Sequence, residues 1–112
     1  MILDNAINKN RTLITANELK IRMESGEAYE LIDARVPSQY AQDHIKTAKN
    51  IPHDKLREAL KNIDKDVPII TYCNKGVTGN AVQNILLNHG CREVYNLSGG
   101  HKNYKKRKEV LS

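Results

Sequence analysis

Cys73 is the residue best placed in this chain to do covalent chemistry. It follows Val67-Pro-Ile-Ile-Thr-Tyr72, a β-branched run apolar on both faces, which predicts a central parallel strand. Such a strand delivers Cys73 to the carboxyl edge of the sheet, where open α/β folds bind ligands. Asn74, Lys75, Gly76, Val77 and Thr78 then lead into a helix that starts near Gly79. A short glycine-containing loop can turn several backbone N–H groups toward one point, and the positive end of the next helix adds to them. A thiol at the centre of that nest has a lowered pKa and reacts as thiolate. Lys75 adds a positive charge, and the same amides can hold an anionic substrate. By residue type alone a cysteine is more often a small buried hydrophobe. The strand end, the loop and the helix together favour the nucleophile.

The flanking sequence predicts the elements that must hold this unit. Thr12–Ile14 reads as a short first strand, and Thr15-Ala-Asn-Glu18 as a capping box. The helix after it carries Leu19, Ile21 and Met23 and stops at Gly26. Tyr29–Asp33 reads as a strand, and Pro37 suits the first turn of a short helix with Tyr40 and Ala41. Ala48–Ile51 is extended before Pro52. Asp54 is placed to cap a helix with Leu56, Ala59, Leu60 and Ile63 on one side. After Gly79 a helix turns Val82, Ile85, Leu86 and His89 inward and closes at Gly90. Glu93–Asn96 makes the last strand, and Gly99-Gly100 punctuates before a final helix. Strands alternating with helices predict an α/β fold: a mostly parallel five-stranded sheet with helices on both faces.

With these elements in place, the sequence resembles the rhodanese family over about residues 14–104. Leu31-Ile-Asp-Ala-Arg35 is similar to the family's strand ending in D-x-R. Pro37-Ser-Gln-Tyr40 is similar to its P-x-x-[EQ]-Y stretch, with one residue fewer after the proline, and His44-Ile45 to its G-H-I, with Asp43 in place of glycine. Ala48-Lys-Asn-Ile-Pro52 resembles A-x-N-I-P, and Asn96-Leu-Ser-Gly-Gly100 resembles the late N-L-x-G-G. The loop C-N-K-G-V-T is similar to the C-R-K-G-V-T loop of thiosulfate sulfurtransferases, with Asn74 in place of arginine. Each motif alone is weak; their order along the chain carries the resemblance.

The resemblance implies a rhodanese-like fold and a sulfurtransferase. Cys73 would take sulfur from thiosulfate or a persulfide and hold it as a persulfide. The loop Asn74, Lys75, Gly76, Val77, Thr78 and Gly79 would cradle it, and cyanide, a small thiol or a protein thiol would accept it. No metal or organic cofactor is required, because sulfur itself is the carried group. Lys75 would stabilise the donor and the departing sulfite, and Thr78 would donate a hydroxyl or cap the helix. Arg35 either supplies charge in place of the arginine missing at Asn74 or pairs with Asp33 to fix the loop. His44 reads as packed and hydrogen-bonded. Cys91 reads as a packing thiol, with resolution of the persulfide as its alternative. Cysteine phosphatases share this architecture, but their loop needs an arginine where Thr78 or Gly79 stands here. A persulfide-handling module of a larger coenzyme A-disulfide reductase system is the other reading, and a non-catalytic binding module a third.

Length and composition frame these expectations. The 112 residues suit one domain, with a core at about residues 14–104 and a basic tail at 105–112. At 39% hydrophobic and 28% charged, the chain is neither disordered nor a membrane span. With no Trp and no Phe, the core must be mostly Ile, Leu and Val. Two cysteines are too few for a disulfide scaffold or a zinc site, and the start of the sequence shows no export signal, so a reducing cytoplasm is the expectation. Most of the net +5 charge lies in the last twelve residues, with Lys102, Lys105, Lys106, Arg107 and Lys108 against Glu109. A terminal cluster with one Tyr reads as a solvated helix end rather than a nucleic-acid surface. No membrane partner is expected, and a monomer or weak homodimer fits equally.

Overall fold

The computed structural model describes the backbone of residues 13–74 and 79–111, and side chains over 13–74 and 81–105. Five strands form one sheet in the order β1-β5-β4-β2-β3: β1 (Leu13–Ile14), β2 (Glu30–Asp33), β3 (Lys49–Asn50), β4 (Ile69–Tyr72) and β5 (Val94–Leu97). All four pairings are parallel. The helices are α1 (Ala16–Ser25), α2 (Pro37–Gln42), α3 (Leu56–Ala59), α4 (Gly79–Asn88) and α5 (Gly100–Leu111). The expected α/β architecture, with a parallel five-stranded sheet, is the one observed.

Alternation along the strands divides the core between two faces. Ile32, Ile69 and Val94 point toward α3 and α4 and pack with Leu56, Val82 and Leu86. Leu31, Ile70, Tyr72 and Leu97 point the other way and pack with Leu19 of α1, Ile45 and Tyr104 of α5. Ile, Leu and Val make up most of the buried core, as the absence of Phe and Trp requires, and the tyrosines all belong to the second layer. Among the described residues no helix is long and apolar enough to cross a membrane.

Local signals formed where their partners are close in sequence. Thr15 Oγ1 accepts from the Glu18 amide at 3.1 Å while Glu18 Oε1 accepts from the Thr15 amide at 3.0 Å. Pro37 opens α2, and β4 starts just after Pro68, which has no N–H to give the ladder. Ile21 is 67% exposed, because it lies two residues from both Leu19 and Met23 and so faces the opposite side of α1. One expectation needs correction. Asp54 caps no helix: it sits inside a 3₁₀ turn (His53–Lys55), and Lys55 precedes α3 without a side-chain cap. A second 3₁₀ turn, Leu60–Asn62, follows, yet Leu56 and Ile63 are still buried on one side.

Thr47 is the only non-glycine residue with positive φ (73°) among those described. A β-branched residue is strained there. Its Oγ1 lies 2.8 Å from Tyr29 Oη in an exposed hydrogen bond. Asparagine tolerates this conformation, which for other residues costs roughly 1–2 kcal/mol. Thr47→Asn is therefore expected to raise Tm by about 2–5 °C after loss of the exposed bond. A lower Tm in thermal unfolding would refute the assignment of strain.

Candidate active site

Cys73 leaves the carboxyl end of β4, between β2 and β5, and is only 6% exposed. Three successive carbonyls at this point are held by amides from other elements. Tyr72 O accepts from Ala34 N at 2.9 Å, Cys73 O from His101 N at 2.8 Å, and Asn74 O from Lys102 N at 3.2 Å. The first turn of α5 thus lies directly against the backbone of the cysteine. Asn74 is exposed, and Gly79 opens α4. Lys75, Gly76, Val77 and Thr78 lie outside the described residues.

Beside this backbone is a buried polar cluster. The register sets Asp33 of β2 opposite Tyr72 of β4. Arg35 grips Asp33 with two nitrogens, Nε to Oδ1 at 3.1 Å and Nη2 to Oδ2 at 2.8 Å. Its Nη2 also donates to the Asp43 carbonyl at 2.6 Å, and its Nη1 meets His101 Nδ1 at 3.2 Å. Burial works against the Arg35 charge, and the bonds and field of Asp33 outweigh it, so the pKa is raised. These donors are engaged within the protein, and the pairing of Arg35 with Asp33 is present. Tyr72 is fully buried, accepts from Ile45 N at 3.1 Å, and has its pKa pushed up by burial. The Arg35 guanidinium and the His101 ring both lie near the Tyr72 ring, at 5.7 and 6.0 Å from its centroid.

His101 is the member that inspection of the sequence missed. It reads there only as the residue after a double glycine, and its partners are remote along the chain. A guanidinium N–H can only donate, so His101 Nδ1 must accept and the ring proton sits on Nε2, facing Asp43 Oδ2 at 3.7 Å. Burial lowers its pKa first and Arg35 second, against Asp43 and Asp33. Lys105 also faces Asp43 and works in the same direction as Arg35. Since the folded pKa lies below the unfolded value of 6.5, the unfolded chain binds the proton first as pH falls. The stability given by neutral His101 is complete above that value, declines below it, and is fully lost below the folded pKa. Tm is therefore expected to fall more steeply between about pH 7.5 and 5 in the native protein than in His101→Gln, which keeps an acceptor but does not titrate. Parallel profiles would remove His101 as the source.

The remaining candidates stand apart. His44 is hydrogen-bonded, to the Tyr40 carbonyl at 2.8 Å, and stacks on Tyr40 with centroids 3.7 Å apart, but it is exposed rather than packed in the core. Cys91 is buried in the layer under α4, and burial raises its pKa against the pull of Lys65. It precedes β5 at the amino edge of the sheet, whereas Cys73 leaves β4 at the carboxyl edge. The length of β4 alone separates them by about 13 Å along the strand. Disulfide formation needs Cα atoms within about 7 Å, so this fold gives Cys91 no resolving role.

Comparison with known proteins agrees with this geometry. The family model for the Rhodanese-like domain matches residues 15–107. YqhL of Bacillus subtilis is 34% identical, over 86% of this chain and 75% of its own length. The thiosulfate sulfurtransferase GlpE of Coxiella burnetii is 33% identical, over 70% of this chain and 81% of its own. Among solved structures, Bacillus anthracis CoADR-RHD superposes with TM-score 0.79 at 31% identity. The match covers 89% of this chain but 17% of that larger protein. A rhodanese-related protein of Thermoplasma volcanium superposes at TM-score 0.77 and 25% identity, over 86% of this chain and 92% of that one.

Proposed function

The chain belongs to the Rhodanese-like domain family, and from that premise we propose that it is a sulfurtransferase working through a Cys73 persulfide. The observation that carries the proposal is the seat of Cys73 at the carboxyl end of the central parallel strand, its backbone anchored on both sides. The likeness to a thiosulfate sulfurtransferase supports the choice of donor.

The reaction takes two displacements. The Cys73 thiolate attacks the outer sulfur of thiosulfate; the S–S bond breaks and sulfite leaves with the electron pair. The protein then carries Cys73–S–S⁻. Cyanide or a thiolate attacks the outer sulfur, and thiocyanate or a new persulfide departs, restoring the Cys73 thiolate. Free thiosulfate and acceptor never meet, so the kinetics are ping-pong. In this proposal the amides from Asn74 to Gly79 hold the persulfide charge, and Lys75 assists sulfite departure. A reducing cytoplasm, which keeps Cys73 as a thiol, is the setting we assign.

The test is intact mass after incubation with thiosulfate. One added sulfur, mapped to Cys73 and discharged by cyanide, is expected. An unmodified Cys73 with thiosulfate and also with a small persulfide would overturn the proposal. The superposition on one part of CoADR-RHD supports a second reading, in which the same persulfide chemistry serves a larger reductase assembly. A donor preference for coenzyme A persulfide over thiosulfate would select it.

A further inference from the structure

The geometry points to the first turn of α5 as the device that positions the reactive cysteine, with Gly100 as the positioning residue. This inference rests on the Cys73 chemistry proposed above. Gly100 has φ +65°, and a Cβ there would lie 2.5 Å from the Cys73 carbonyl oxygen and 2.8 Å from that of Asn74. Those atoms are backbone and cannot swing aside. Only glycine lets α5 come close enough for His101 N and Lys102 N to donate to these two carbonyls, at 2.8 and 3.2 Å.

The consequence reaches the thiol through peptide geometry. In a trans peptide the carbonyl and the N–H that follows it point in opposite directions, and no described peptide bond is cis. With the Cys73 carbonyl fixed on α5, the Asn74 N–H is turned away from α5. With the Asn74 carbonyl fixed as well, the direction in which the chain leaves the cysteine is set. The clamp also has a firm base. The His101 ring is bonded to Arg35, which is held by Asp33 of β2, and it stacks on Tyr72 of β4. Two strands of the sheet thus hold the helix end that holds the cysteine. Gly100 touches no reacting atom; it acts through the Cys73 and Asn74 peptides.

The test is the rate at which iodoacetamide alkylates Cys73 across a pH series, read by mass at the Cys73 peptide. Gly100→Ala is expected to slow alkylation at neutral pH at least about tenfold and to move the midpoint of the profile upward. In a sulfur-transfer assay it lowers kcat more than it raises KM. Gly26→Ala is the control. Gly26 has φ +80°, so alanine is strained there too, but nothing lies within 4 Å of its Cβ position. A Gly100→Ala profile that coincides with that of Gly26→Ala overturns the inference. Where Gly100→Ala fails to fold by circular dichroism, His101→Pro against His101→Ala decides. Both lose the imidazole, but only proline loses the N–H that holds the Cys73 carbonyl and sets a ring carbon in its place, so only proline opens the clamp. Slower alkylation in His101→Pro supports the clamp, and equal rates overturn it. Alkylation uses no sulfur donor, so the comparison decides the positioning role even in a protein that takes no sulfur. Loss of thiosulfate chemistry alone speaks only to the function proposed above.

Discussion

Cys73→Ser is expected to lower thiosulfate:cyanide sulfur transfer more than about a thousand-fold, to the level of the reaction without protein. Serine is close to cysteine in size and Cys73 is almost buried, so the fold should persist. What changes is the nucleophile. A hydroxyl is not ionised at neutral pH and cannot hold a sulfane sulfur through an S–S bond. The variant should therefore show no added sulfur by mass, alongside a native protein that carries one. Cys91→Ser is the matched control: Cys91 lies at the other edge of the sheet, and its loss should leave sulfur uptake intact. Transfer that survives Cys73→Ser but is lost in Cys91→Ser would move the chemistry to the wrong end of the molecule and refute the mechanism.

The largest expected effect on stability comes from Asp33→Ala. Asp33 is fully buried and holds two guanidinium nitrogens and the backbone amide of Arg35. Removing the carboxylate leaves a buried cation facing the Asp43 carbonyl and a neutral imidazole, neither of which carries a compensating charge. Breaking a buried ion pair in this way costs about 3–5 kcal/mol. For a domain of this size that corresponds to a fall in Tm of about 10–20 °C. The double variant Asp33→Ala/Arg35→Leu removes the orphaned charge as well and is expected to recover part of the loss. A single variant within about 1 kcal/mol of native in urea unfolding would mean that water or a neighbour already neutralises Arg35.

The same two residues show what was legible in the sequence. Asp33 and Arg35 are two positions apart, so their pairing was an alternative visible in the sequence, and the structure shows it. The Thr15–Glu18 box and Pro37 are equally local and formed as read. β4 was legible because four consecutive buried residues leave no polar face to obscure it. Failures came where a local rule met a longer-range demand. Asp54 had the residue type of a cap, but the chain after Pro52 tightens into a 3₁₀ turn before α3 begins. His101 was invisible as a site residue because its importance lies in contacts with Arg35 and Cys73, neither of them near it in sequence. A double glycine one residue after a strand that neighbours the cysteine strand was the available signal. It marks a close approach of backbones as well as a turn. The residues of the loop itself, from Lys75 to Thr78, lie outside the described residues and stand as sequence reading alone.

The placement of α5 also sets an order of events during synthesis. The strand that carries Cys73 is made before β5, and α5 follows β5, so the cysteine leaves the ribosome ahead of the two amides that hold its backbone. Edge strand β1 waits as long, because Leu13 and Ile14 pair with Asn96 and Leu97. Such non-local parallel pairing is slow to form. A nascent chain therefore exposes its thiol before the sheet is complete and before the last helix docks.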